Sequence, residues 1–442
     1  MQLHIGFDDT DSPSGGCTTY VAALLVEKLL RLGARFIDYP NLVRLNPNVP
    51  WKTRGNGAIS LRLYVDSPLE DDVRKLVIKI VEDQADFDCD NTNPGIVFLE
   101  GEVPSNVTKF SDEAIQSVVN LNDAMAIIDS CGASAVGYKD MRGVIGALAA
   151  VGGCLQGDHT YEFLAYRMLE NRGKPRLIDA ASVFEMDAAT TGETFSNVDE
   201  QVRRPLIAPH GPDPVLFGVR GESPEAVHRA GMMIKTAEPV ERSVIFRTNQ
   251  GTDSHLKRTL RIADLRPFAP AIVDGKVSSE PRTIPGGHTF ISLEDETGSV
   301  DCAAFEPTGH FRDVVTRLIP GDEIKAYGGV KTPNGINRKT LNLEKIEVTR
   351  LENSARFVNP TCPKCGSSME SMGRDQGYRC RKCRYRGPRL TKRAVDAPRE
   401  LALGLYLPPP RAQRHLTKPL VRYGREKGEH VFGELFDRWH SP

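Results

Sequence analysis

Four cysteines near the C-terminus constrain this chain more tightly than any other feature. They stand as Cys362-Pro-Lys-Cys365 and Cys380-Arg-Lys-Cys383, with fourteen residues between the pairs. Paired CxxC knuckles at this spacing set four thiolates tetrahedrally around Zn²⁺. With four ligands and no open coordination position, such a metal is structural. A redox pair is the weaker reading, because neither CxxC lies in a βαβ context. Tyr378 and Tyr385 interleave with Arg379, Arg381, Lys382, Arg384 and Arg386 around the second knuckle. Basic and aromatic residues mixed in this way suit phosphate contact and base stacking.

The ribbon also begins a charge asymmetry that the net charge of −1 conceals. Residues 356–427 carry 18 Lys/Arg against 5 Asp/Glu, a net of +13, so the remainder sums to −14. A basic block on an acidic body points to a polyanion partner. The other five cysteines are scattered, as free thiols of a cytosolic protein usually are. No apolar run reaches membrane-spanning length, and the N-terminus enters a strand directly instead of a signal peptide. A cytoplasmic protein with no membrane association is expected.

At the other end, the run LHIGFDDTDSPSGGCTTY couples a strand to a helix. Leu3, Ile5 and Phe7 alternate, Asp8, Asp9 and Asp11 crowd the strand's end, and a helix is expected from about Thr18 to Leu32. Three carboxylates there form an oxygen-rich site of the kind that holds Mg²⁺ together with nucleotide phosphates. Gly15 and Gly16 feed a helix start, whose free N–H groups and dipole attract an anion. Thr18 places a hydroxyl where a phosphoryl group would arrive. A capping role for these Asp and Thr residues is the alternative.

Through residue 102 the pattern reads β-α-β-β-α-β, with Lys52 and Arg54 in a Gly/Asn-rich loop able to meet phosphate oxygens. A single helix is expected over about 111–130. A second β-α-β-β-α-β unit then takes 134–140 as its first strand, with a polar insertion over about 171–212. Its loops offer Arg220, Arg247, Asn249, Gln250, Asp253 and His255 as candidate ligand contacts. From Thr259 short strands with turns at 296–298, 320–322 and Asn334-Gly335 suggest an OB-fold. Phe290, Phe305 and Tyr327 are available there for stacking or for a core. Near the C-terminus, Val431, Phe432, Leu435, Phe436 and Trp439 could form one face of a helix packed back on a domain.

The expected fold class is therefore α+β and multidomain: two α/β domains of split β-α-β, ferredoxin-like pattern, an OB-fold β-barrel, a zinc ribbon and a basic tail. The boundaries are 1–128, 129–256, 257–352, 356–390 and 391–442.

GFDDTDSPSGGCTT, LNPNVPWKTRGNGA, GYKDMRGVIGALAAVG, HGPDPVLFGVRG and FRTNQGTDSH resemble, in this order, motifs of the archaeal-type isoleucine-tRNA 2-agmatinylcytidine synthetase family. The resemblance covers essentially the whole chain. It implies a kinase-type first domain, a ferredoxin-like domain, an OB-fold and a zinc ribbon. It implies an ATP-dependent ligase that joins agmatine to the wobble cytidine in the anticodon region of the AUA-decoding isoleucine tRNA. Thr18 then matches the family's autophosphorylated threonine, and Asp8, Asp9 and Asp11 fall in its magnesium-binding motif. Gly15, Gly16, Lys52, Arg54 and Arg220 become candidates for ATP, and Asp213 and Asp253 for the agmatine dication, which wants a carboxylate. No obligate protein partner is evident.

Two alternatives come from other classes. A phosphotransferase of the haloacid-dehalogenase kind is imitated by Asp9-Thr10-Asp11, but Pro13 stands where that motif wants Thr. A non-catalytic single-strand-binding protein would use the OB-fold and ribbon, and leaves residues 1–256 without a role.

Overall fold

Leu3, Ile5 and Phe7 point to one face of strand β1 (Gln2–Asp8), His4 and Gly6 to the other, and both faces are covered. A computed structural model describes residues 1–332, 339–429 and 433–442. After β1 come α1 (Thr18–Leu32), β2 (Arg35–Phe36), β3 (Asn41–Arg44), β4 (Gly57–Tyr64) and α2 (Glu70–Gln84). Next are β5 (Gly95–Glu100), α3 (Ser105–Gln116), α4 (Leu121–Ser130), β6 (Ser134–Gly137) and α5 (Gly143–Gly152). Helices α1 and α2 pack their apolar stripes on the Leu3–Ile5–Phe7 face. Helix α5 crosses the opposite face at close range, with its small residues letting its backbone approach the sheet. A Cβ on Gly6 would stand 2.0 Å from Ala147 O, and one on Gly143 2.4 Å from the Gly95 nitrogen. The small-residue run GVIGALAAVG thus allows backbone to rest on backbone.

The chain continues through β7 (Thr160–Arg167), α6 (Ala180–Ala189), β8 (Thr194–Phe195), β9 (Val198–Asp199) and β10 (Arg204–Pro205). It then forms β11 (Val215–Gly221), α7 (Pro224–Met233) and β12 (Val240–Thr248). The two halves share one sheet in the order β6-β5-β1-β4-β3-β12-β7-β11-β8, joined where β3 and β12 run parallel.

Three sequence expectations change here. Ser134–Gly137 and the helix after it, expected to open the second unit, belong to the first: β6 pairs antiparallel with β5, and α5 lies on β1, β4 and β5. The sheet therefore continues past the expected 128/129 break. The single helix over 111–130 is two, because Asn120 caps α4 by accepting from Asp123 N at 2.9 Å. The polar insertion 171–212 contains α6, capped by Asp179, and three short strands.

The barrel is built from β13 (Pro270–Val277), β14 (Arg282–Thr283), β15 (Thr289–Asp295), β16 (Gly298–Ala304), β17 (Glu323–Lys331) and β18 (Thr340–Arg350). Its order is β13-β17-β18-β16-β15-β14, with a β13–β15 pairing that closes it. The expected Asn334-Gly335 turn lies outside the described residues. Beyond the ribbon, the basic tail is folded against the body. Arg399 pairs with Asp322, Arg411 with Asp199 (2.6 Å), Arg414 with Glu344 (2.9 Å), and Arg422 with Asp158 (2.8 Å) and Glu222 (2.6 Å). Opposite charges in the acidic body and the basic tail thus fold part of that asymmetry inward. Among the described residues of 429–439 there is no helix. Trp439 packs on Phe36 and Tyr39, Leu435 and Phe436 flank the same core, and a two-residue strand (His440–Ser441) pairs with β12. Val431 and Phe432 lie outside the described residues. No helix among the described residues is long and apolar enough to cross a membrane.

His4 shows how the α5 face meets its polar groups. Its Nε2 donates to Gly101 O (2.9 Å), and its Nδ1 accepts from Arg62, which is itself held by Asn41 and Val151 O. Burial, and then Arg62, lower its pKa from 6.5 to about 4. A depressed histidine pKa stabilises the fold above the unfolded value, and that stability is lost as pH falls through the folded value. The advantage of the native chain over His4→Asn should therefore shrink by up to about 3 kcal/mol between pH ~6.5 and ~4. Urea unfolding of both proteins across that window checks it, and a pH-independent difference would refute it.

Candidate active site between the two halves of the sheet

A cavity of about 670 Å³ opens where the two halves of the sheet meet. Asp8, Asp9, Asp11, Cys17, Thr18 and Thr19 line one wall, and Glu162, Asp213 and Arg220 line another. The chain reaches the first wall through a strained turn. Asp9 has φ 59° and Gly16 has φ 72°. A side chain on Gly16 would also press on Thr10 O and Asp11 Cα at 3.2 Å, which accounts for glycine there. Helix α1 starts at Thr18 with no side-chain cap; the Tyr20 N–H already donates to Cys17 O (2.9 Å), so the N–H groups of Thr18 and Thr19 are the ones positioned for an anion. Thr18 itself is mostly buried on this wall, its hydroxyl 3.1 Å from that of Thr10.

The three aspartates have different surroundings. Asp9 receives Arg142 (2.9 Å) and Asn93 N (3.2 Å), and Asp11 receives Arg54 Nε (2.8 Å). Asp8 abuts Gly146 of α5, where a Cβ would lie 1.8 Å from Oδ2. Burial, with Asp9 and Asp11 adding to it, pushes the Asp8 carboxyl up to about 8.

Arg54 is a bridge. Besides Asp11 it binds Asp213 (3.0 Å) and the carbonyls of Gly16 (2.6 Å) and Gly15 (3.3 Å), tying the acidic turn to the opposite wall. Lys52 faces the cavity, its pKa lowered by burial and by Arg414. Asp213 is held by Arg54 and Arg176. Arg220 binds Glu162 (3.0 Å) and His415 Nδ1 (2.9 Å). Asp253 is elsewhere: it pairs with Lys345 and accepts from Lys418 N (2.9 Å), fastening the tail to the barrel, and it does not line the cavity. Arg247, Asn249, Gln250 and His255 are buried structural contacts, as in Asn249 bridging to Arg44 and His255 to Glu344.

Several cavity residues carried no local signal. Arg44 reaches it from the end of β3, and its Nε is buried without a hydrogen-bond partner. Arg414 and His415 come from the tail. The Arg44 cation, with Arg220 and Lys52 also near, holds the His415 imidazole well below its ordinary pKa, although the residue is exposed.

At the ribbon, the four sulfurs lie within 4.8 Å of one another, the one such metal-ligating cluster among the described residues. Cys362–Cys383 and Cys365–Cys380 are 3.4 and 3.5 Å apart. These separations are too long for a disulfide and near the ~3.8 Å edge of a tetrahedron with Zn–S of about 2.3 Å. Tyr378, read as a base-stacking residue, instead packs with Met369 in the ribbon core, while Tyr385 is half-buried against it with the Lys364 ammonium 5.8 Å from its ring, leaving Arg379, Lys382, Arg384 and Arg386 exposed.

Comparison with known proteins decides the family. Models described as the TiaS TCKD and TiaS FLD domains match residues 4–140 and 141–255. An OB-fold nucleic acid binding domain matches 271–349, and the TiaS C-terminal zinc ribbon domain matches 359–401. The 2-agmatinylcytidine synthetase TiaS of Methanosarcina mazei, named for the isoleucine-2 tRNA, is 45% identical over 429 residues, covering 95% of this chain and 97% of that protein. The chain belongs to the TiaS family. The crystal structure of apo TiaS, an agmatidine synthetase for the same tRNA, matches with a TM-score of 0.86 at 42% identity, covering 98% of this chain and 100% of that one. A complex of TiaS with isoleucine-2 tRNA, AMPCPP and agmatine matches at TM-score 0.83 and 39% identity over the same shares.

In this TiaS-family chain the ribbon core is too small to persist without its metal. Cys365→Ser should lose one equivalent of bound zinc by elemental analysis, while the thermal transition of the body stays in place. Retention of stoichiometric zinc would contradict the four-thiolate site.

Proposed function

We propose that this chain is an ATP-dependent synthetase that joins agmatine to the wobble cytidine of the isoleucine-2 tRNA, the AUA-decoding isoleucine tRNA, in the cytoplasm. The observation that carries the reading is one cavity with the acidic turn and the uncapped start of α1 on one wall and buried carboxylates on the other. The cytosine O2 is a poor leaving group, and phosphorylation makes it a good one. The primary amine of agmatine then attacks C2, the C–N bond forms, phosphate departs with the oxygen, and the nitrogen gives up its proton.

In this reading the first-turn N–H groups of α1, with Lys52 and Arg44, hold the phosphates of ATP. Arg54 keeps Asp11, the glycine turn and Asp213 in register. Thr18 receives a phosphoryl group on its hydroxyl. Asp8, Asp9 and Asp11 carry the oxygen donors that suit Mg²⁺, but among the described residues only the ribbon cysteines are gathered closely enough to hold a metal, so these carboxylates would have to draw together, Asp9 and Asp11 away from Arg142 and Arg54, to take the ion. When bound, that ion supplies charge neutralisation at the phosphates. Glu162 and Asp213 provide negative charge for the agmatine dication, a role for which the placement of Asp253 is unsuited. The target base has to leave the anticodon stack to enter, and the exposed ribbon arginines grip the RNA backbone.

The test is incubation with ATP, agmatine and the unmodified isoleucine-2 tRNA, followed by nucleoside mass analysis. One cytidine should gain the mass of agmatine less one water. Unchanged cytidine, with intact protein and bound tRNA, overturns the proposal.

A further inference from the structure

Two aromatic rings from different parts of the chain stand side by side, and one of them, Trp51, lines the cavity. Trp51 lies in the loop before β4 and is 40% exposed. Phe268 lies just before the barrel, its ring centroid 6.4 Å from that of Trp51 and tilted 60° to it. Large aromatic residues are normally drawn into cores, so a tryptophan left open at a cavity mouth calls for an occupant.

The backbone supports the same reading. Phe268 has φ 63°, a conformation that bulky residues rarely adopt. It is held there from both sides: its N–H donates to Val330 O (2.8 Å), and its carbonyl accepts from the buried Asn46 (2.9 Å). Asn46 also donates to Ser117 O (2.9 Å), so the barrel's aromatic is registered directly against the first domain. Strain of this kind gathers at ligand contacts.

The surrounding charge specifies the ligand. The Lys331 ammonium sits 4.9 Å from the Phe268 centroid and donates to Asn48 O (2.8 Å). Burial, and then Arg414 and Lys52 crowding the same edge, lower the Lys331 pKa. Aromatic faces flanked by cations are how proteins hold unpaired bases and their phosphates.

We propose that Trp51 and Phe268, with Lys331 beside them, form a stacking platform for an unpaired nucleobase next to the target cytidine. This rests on the synthetase reading. Stacking a neighbour outside the cavity would help keep the cytidine splayed inside it. The platform is a positioning device for RNA, and neither ring takes part in the chemistry.

The chain has two tryptophans, and Trp439 is 6% exposed, so a change in fluorescence when RNA binds reports chiefly on Trp51. Titrating the isoleucine-2 tRNA into the full-length protein should quench that signal, and Trp51→Phe should abolish the quench. Trp51→Leu should raise the KM for tRNA about tenfold or more, as loss of one stacked base does. The KM values for ATP and agmatine should stay unchanged, and Trp51→Phe should restore most of the tRNA affinity. A gel shift with no quenching overturns the platform and leaves the synthetase reading intact. Equal quenching by a duplex RNA of matched charge also overturns it, because stacked bases are then not the cause. Failure of tRNA to bind at all overturns both readings.

Discussion

Gly146→Ala should lower turnover on tRNA at least about a hundredfold, the scale expected when a reacting group is displaced by about an ångström. The new Cβ would stand 1.8 Å from Asp8 Oδ2. Either the carboxylate swings away or α5 lifts from the sheet, and the helix is pinned along its length. Gly143 lies against Gly95 and Asn93, Ala147 O against Gly6, and Gly152 against Val107 O. The aspartate is therefore the part that moves. Overpacking of this kind costs about 1–3 kcal/mol, so the protein should still fold with a lowered melting temperature. Gly157→Ala is the control, because nothing lies within 4 Å of the added carbon. Steady-state kinetics on both variants check the prediction, and turnover of Gly146→Ala within tenfold of the native chain would show that Asp8 need not stay where it is.

Thr18→Ala should reduce phosphate incorporation from γ-labelled ATP to background. The loss to stability should be small, on the order of 1 kcal/mol for the hydrogen bond to Thr10. Thr18→Ser keeps a hydroxyl at the same helix position and should retain labelling. The contrast separates loss of the acceptor oxygen from damage to the start of α1. Undiminished label on the alanine variant would move the acceptor elsewhere, with Thr19 on the same wall the next residue to replace.

Features written in consecutive residues are legible without coordinates. The zinc ribbon is one, because two CxxC turns place their own ligands. The strand–turn–helix of residues 2–32 is another, since alternation, glycines and helical spacing all act locally. So too is the closed barrel, whose short strands are separated by turns. Tyr378 is misread from sequence because a ribbon this small needs its aromatics as core, which a residue-by-residue inventory does not reveal.

Other features depend on distant partners. The affiliation of β6 and α5 turns on contacts with β1 and β5, and the glycines of α5 become intelligible only when the facing backbone is known. Arg54 carries the positive charge suited to a phosphate ligand, yet it is committed to two carboxylates that come together only when the halves of the sheet join.

The sequence alone determined the family, the four structural cysteines, the acidic turn and the order of the domains, because each is encoded in short-range pattern. Tertiary structure decided which charges remain free to act. Arg411 reaches Asp199 and Arg422 reaches Glu222 across about two hundred residues of chain. Ion pairs at such separation leave no periodicity or spacing to read, so only folding shows that much of the basic tail is a strap and that His415 helps to wall the cavity.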